Sequence, residues 1–454
     1  MNGLLLLIGL VLCVAVAVFV PGFGAAAIVV SVVPAVLAGV LISRVEDDKI
    51  FLIRLFAAAL LVRMAVGALI FAFNLQAFFG GDAYQYDLFG YALLESWHGD
   101  SYYRALTNYF MGADSGGGWG MLYLVAVVYG MIGRNMLAIQ FLNAVMGAAT
   151  APVIYLCARH VFGNVRVARV ACIFVAFYPS LVLWSAQGLK DGPIVFLLAA
   201  SMLAALELGA RLQAKYFIML VCTLFALLSL RFYIFYMMVA AIGGAFVIGM
   251  RAVTAQSFLR QFVVIVGISL SLTYLGVLRY ASVQFETYGN MEAVQRSRLD
   301  QATTGQSGYA QEVDVSTTSG ALTTIPMGLL YLLFAPFPWQ LASLRQSITL
   351  PEMLIWWASF PLLVLGVWFT VKYRLRQASP ILIFTPMLTL AYSLFQGNIG
   401  TAYRQRAQLL IFYFMFVAVG FVLMKEKRED KKRRELMERE ADMAAVARPS
   451  SRNI

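Results

Sequence analysis

The sequence predicts an all-α, polytopic transmembrane bundle of about twelve spans. The chain has 454 residues, 61% hydrophobic and only 13% charged, and its mean hydropathy is +0.79. Apolar segments recur along it at the roughly 20-residue length that crosses a hydrocarbon core as a helix, whereas outer-membrane strands would alternate over about ten residues. Basic residues gather in every second connection, as expected for loops on one side of a bilayer.

Spans are expected near residues 3–20, 24–43, 51–73, 136–158, 167–185, 191–209, 216–230, 232–250, 261–280, 352–373, 380–396 and 406–424. The first lacks a basic flank and a small-residue cleavage site, so it reads as a retained span and not a signal peptide. With a cytoplasmic N-terminus, the inner segments hold Arg44, Lys49, Arg159, Arg166, Arg169, Arg211, Lys215, Arg251, Arg260, Lys372, Arg374, Arg376 and the basic residues after position 424. These make up 22 of the 34 Lys and Arg, and both termini are then cytoplasmic.

Residues 120–133 are apolar but too short for a span, so an interfacial or re-entrant helix is expected. The run 216–250 is too long for one crossing, and Arg231 marks the expected turn. The tail, 425–454, mixes charges of both signs at helical spacing and reads as a solvated helix or disordered end, or as a contact for anionic lipid.

Cys13, Cys157, Cys172 and Cys222 lie in or beside apolar segments and imply no disulfide framework. His98 and His160 are too few and too far apart for a zinc site. The net charge of +11 sits mainly on one side of the spans, which argues for topology and against nucleic-acid binding.

Two large outer connections remain, 74–119 and 281–351. In the first, Gly80-Gly81-Asp82-Ala83-Tyr84-Gln85 has the form of a capping box, so a helix is expected from there. Tyr84, Leu88, Tyr91 and Leu94 continue it as an aromatic-rich surface helix. Asp82 is either its cap or a carboxylate at the lip of the bilayer, behind two glycines that let a ligand approach. Asp191, in Gln187-Gly188-Leu189-Lys190-Asp191-Gly192-Pro193, is a second outer acid and a plausible N-cap. Lys190 beside it either snorkels or meets a phosphate.

Arg231 is an outer cation among aromatics, an interfacial anchor or a ligand-binding charge. Arg404 and Arg406 lie outside, against the charge rule, and a lipid phosphate or diphosphate would compensate them. Arg63 is the one charge expected near a membrane centre, either functional or paired with helix carbonyls. The second connection is polar over 281–325, with no metal-binding spacing. It is followed by Tyr331 to Trp339, YLLFAPFPW, which reads as a proline-broken interfacial segment, a lid or a passive surface helix.

The order Gly81-Asp82-Ala83-Tyr84, Leu189-Lys190-Asp191 and outer basic residues resembles the GT-C superfamily of membrane glycosyltransferases. The branch it looks most like comprises bacterial relatives of protein mannosyltransferases and lipid A aminoarabinose transferases. The segment 120–133 is similar to that superfamily's juxtamembrane helices. Ala335-Pro336-Phe337-Pro338-Trp339 and Gly400-Thr401-Ala402-Tyr403-Arg404-Gln405-Arg406 look like stretches in membrane proteins of surface-polysaccharide assembly. The resemblance covers residues 51–424, leaving two additional N-terminal helices within 1–50 and the charged tail. Mannosyltransferase-like members carry adjacent acids in the first loop, whereas Ala83 follows Asp82 here.

The resemblance implies sugar transfer from a polyprenyl-phosphate-type donor to a saccharide, lipid or protein acceptor, at the outer face of a bacterial inner membrane. Asp82 would be the general base. Arg404, Arg406, Arg231 and Lys190 would meet the departing phosphate, and Asp191 would orient the acceptor or Lys190. No cofactor is expected, and a divalent metal has no support in the residues. A polymerase or ligase using lipid diphosphate donors and a lipid-linked-sugar flippase are the alternative readings. A flippase would show internal repeats and midplane charges, and the chain has no clear repeat.

Overall fold

The computed structural model describes residues 2–111, 118–248, 255–277, 281, 284, 286, 289–304, 307–309, 313–341 and 343–446. The chain runs through α1 Asn2–Phe19, α2 Gly24–Ser43, α3 Lys49–Ala72, α4 Gln76–Phe79, α5 Asp82–Trp97, α6 Ser101–Met111, α7 Trp119–Ile132 and α8 Met136–Phe162. It continues with α9 Val165–Phe177, α10 Pro179–Ser185, α11 Asp191–Ala210, α12 Ala214–Leu230, α13 Phe232–Ile248 and α14 Ala255–Tyr274. Last come α15 Met291–Thr304, α16 Thr318–Phe334, α17 Leu350–Phe395 and α18 Ile399–Val446. No strand occurs among the described residues; a single bridge pairs Gly308 with Asn398.

This is the expected all-α architecture of a multi-pass membrane protein. Six helices, α2, α3, α8, α11, α17 and α18, are long and apolar enough to cross a bilayer, and the bent pair α9–α10 makes a seventh. Each of the other expected spans is an apolar helix or half of one. At 46 residues α17 is about 69 Å long, twice a hydrocarbon thickness, and its backbone leaves helical geometry at Arg374, between the two expected spans.

The core is built around α8, which packs on α2, α3, α9 and α11, and around the α17–α18 pair. Small residues allow that pair to close: a side chain at Gly366 or Gly420 would strike the backbone carbonyl of Phe416 or Leu362. By contrast α1 and α2 display Leu6, Phe19, Val29 and Val33 outward, as lipid-facing helices do.

Break points follow local chemistry. Asn135 and Asn164 cap α8 and α9 through their side chains, and Gly163 ends α8 in the left-handed region. Pro179 separates α9 from α10 with a bend of 54°. Arg231 is extended between α12 and α13, the expected turn.

Of the basic residues expected inside, Arg159 meets Asp47, Arg169 meets Asp48 and Arg166 meets Glu429 at one end of the bundle; Arg251 lies outside the described residues. The residues of the candidate site lie at the other end. The described part of the tail is helical, continuing α18 to Val446. Of the segment Tyr331 to Trp339, Tyr331 to Phe334 end a 17-residue helix, α16, and after Ala335 the chain forms a 3-10 turn at Pro338–Gln340.

Candidate active site

The capping alternative does not occur for either acid. Helix α5 begins at Asp82 with Gly81 before it, and α11 begins at Asp191 with Lys190 before it, and neither start has a side-chain cap. Both carboxylates therefore stand in the first turn, where the helix dipole favours an anion, and both turn to Arg404. Arg404 donates from Nε to Asp191 Oδ2 at 2.6 Å and from Nη1 to Asp82 Oδ2 at 2.5 Å. Its Nη2 is also 2.6 Å from Asp191 Oδ2. Asp191 is buried, whereas the Asp82 side chain is 52% exposed.

A chain of buried amides fixes the two turns against each other. Gln140 donates to Gln76, and Gln76 donates to Gln187 at 2.7 Å and to the Gly80 carbonyl. Asn143 donates to the carbonyls of Gln187 and Leu189. Because a buried amide without partners is costly, this network locks the segments bearing Asp82 and Asp191 onto α8.

Arg231 lies 3.7 Å from Asp191 Oδ1. The Lys190 amine lies against Gly118, where a Cβ would come within 3.2 Å of it in a left-handed turn. Burial, and then the nearby Arg231, bring the Lys190 pKa down to about 7. Asp82 and Arg404 also line a cavity of about 790 Å³. One wall of it is apolar and comes from the spanning helices, with Val62, Val66, Phe177 and Val182, and the rest carries Trp184, Arg345, Glu352 and Tyr403.

Arg406 and Arg63 are not brought to this cluster. Two residues along a helix are about 200° apart, so Arg406 points away from Arg404. It is buried, donating to the carbonyls of Leu332, Leu333 and Ala335 at the end of α16. Trp356 and Trp357 take the carbonyls of Leu333 and Phe334 there, so side chains satisfy a helix end that has no backbone partners. Arg63 takes the carbonyls of Val175 and Ala176, exposed by the α9–α10 break, and also donates to Ser185. These are pairings with helix carbonyls, the arrangement one of its two expected readings describes.

Sequence reasoning missed Arg345, Glu352 and the amides. Arg345 and Glu352 lie in the connection reserved for a lid and in the first turn of the next helix, without a motif. Gln76, Gln140 and Asn143 were the available signal: polar residues in or beside apolar runs need partners. Among the described residues no group of three or more His, Cys, Asp or Glu is placed to hold a metal.

Residues 119–276 match the family of dolichyl-phosphate-mannose-protein mannosyltransferases. The GT-C resemblance is borne out over that stretch, which includes Lys190, Asp191 and Arg231 but neither Asp82 nor Arg404. No curated protein matches the chain.

Among solved structures, the chain is similar to an archaeal oligosaccharyltransferase from Archaeoglobus fulgidus, in complex with an inhibitory peptide and a dolichol-phosphate. The identity is 16% and the TM-score 0.42, over 71% of this chain and 44% of that one. The Archaeoglobus fulgidus oligosaccharyltransferase in complex with zinc and sulfate gives 16% identity and a TM-score of 0.42, over 72% and 43%. The chain thus spans less than half the length of the structures it matches.

Proposed function

We propose that the protein is a membrane glycosyltransferase that moves a sugar from a polyprenyl-phosphate-type donor to an acceptor at the outer face of a bacterial inner membrane, in surface polysaccharide or glycoconjugate assembly. The observation that carries this reading is the convergence of Asp82 and Asp191 on Arg404 beside a cavity with an apolar wall. A lipid-linked donor needs both parts: an apolar flank for its chain and cations for its phosphate.

In the proposed reaction the acceptor hydroxyl attacks the anomeric carbon while the bond from that carbon to the phosphate oxygen breaks. Asp82 takes the hydroxyl proton. The phosphate oxygen leaves with the bonding electrons, stabilised by Arg404, with Arg231 and Lys190 adding positive charge. Buried Asp191 holds the Arg404 guanidinium through two of its nitrogens, and exposed Asp82 holds only one. An arriving phosphate takes over the Asp82 side of the guanidinium and frees that carboxylate to act as base, so the donor binds first. Arg406 and Arg63 have no part in this chemistry.

The test is transfer by the purified protein in liposomes loaded with a polyprenyl-phosphate-linked sugar. Asp82→Asn should lower turnover by about 100-fold or more, the usual worth of a positioned base, with the protein still folded. Unchanged turnover would remove Asp82 as base. Movement of the lipid-linked sugar across the bilayer without transfer would replace the whole reading with a flippase.

A further inference from the structure

We propose that Arg345, on the short turn Leu344–Ser347, is a second phosphate-binding guanidinium of the same cavity, so that the second large outer connection supplies part of the donor site. This rests on the glycosyltransferase reading and adds to it a residue from a part of the chain where no site residue was expected.

Arg345 lines the cavity together with Asp82 and Arg404. The turn that carries it is held by Ser343, whose hydroxyl accepts from the Gln346 backbone. Its Nη2 donates to the Phe79 carbonyl at 2.5 Å, directly before Gly80-Gly81-Asp82, so it is seated on the segment that carries the proposed base. A guanidinium has five N–H donors in a planar fork, and Phe79 is its acceptor among the described residues.

The charges point to an anion. Arg404, Arg231, Lys190 and Arg345 lie around two carboxylates, Asp82 and Asp191, each close enough to act on its neighbours' ionisation. Glu352, the second acid lining the cavity, is buried and accepts from the Tyr403 hydroxyl at 2.8 Å. Partial burial and the adjacent Arg404 both hold the Arg345 pKa below its ordinary value. Arg404 and Arg345 face the cavity with one exposed carboxylate between them, and a phosphate can accept from both forks.

The experiment compares a polyprenyl phosphate with the uncharged polyprenol of the same chain length, bound by the full-length protein in phosphatidylcholine nanodiscs. Arg345→Ala should weaken the phosphate lipid by about tenfold or more and change polyprenol binding by less than about twofold. Arg345→Lys should fall between, since it keeps the charge but loses the fork. Equal affinities of Arg345→Ala and wild type for the phosphate would overturn the assignment and leave the glycosyltransferase reading standing. So would equal losses for both lipids, the mark of a purely structural role. A wild-type protein that binds neither lipid would overturn both.

Discussion

Lys190 and Arg404 are neighbours in the site, yet they answer to pH differently. A guanidinium stays protonated throughout the working range, whereas Lys190, with a pKa near 7, loses its proton within it. The charged form dominates below that value and the neutral form above it. A sugar phosphodiester has no ionisation in this window, so any pH dependence of its binding belongs to the protein. The donor KM of the wild type should therefore rise as pH climbs through about 7. In Lys190→Arg, which remains charged, that rise should disappear. A wild-type KM that stays flat across neutrality would take Lys190 out of the phosphate site. The residue scale also shows why identity in sequence was not enough: Arg404 and Arg406 share a motif and a helix, but their separation around the axis sends one to the acids and the other to the end of α16.

Among the elements, α16 has its C-terminal end held by three side chains. Its C-terminal carbonyls are buried, and Arg406 with the two indoles takes the place of the backbone partners they lack. Arg406→Met should cost about 1–3 kcal/mol, the loss of charge-assisted bonds to buried carbonyls, and appear as a lower Tm. Polyprenyl phosphate affinity of the folded fraction should not change. The opposite pattern, weakened phosphate binding at an unaltered Tm, would return Arg406 to the donor site. Arg63 does comparable service inside the bundle, closing the break between α9 and α10. These broken and kinked elements were partly legible. Proline at 179 and the length of the 216–250 run mark their interruptions in the sequence, but which side chain satisfies the freed carbonyls depends on which helices lie alongside.

For the whole molecule, the central expectation is that the two ends of the bundle face different compartments. In a background with the native cysteines replaced, Tyr84→Cys, at an exposed position of α5, should react with an impermeant maleimide applied to intact cells. Glu440→Cys in the tail should react only after the cytoplasm is opened. Reaction of position 84 from the cytoplasm alone would reverse the topology and with it the outer-face reading.

The chain by itself determined the membrane class, the order of the spans and the end of the bundle at which Asp82, Asp191 and Arg231 would be found. Those features depend on hydrophobic length and on charge asymmetry, which are local and additive along a sequence. Tertiary structure alone decided which polar groups meet. Asp82, Asp191 and Arg404 are separated by long stretches of chain and are joined through α8, its buried amides and the rotational setting of α18, none of which periodicity reveals. The same packing decided between the two readings open for Asp82 and Asp191 by setting both on one guanidinium, and it brought Arg345 to a cavity that no motif announced.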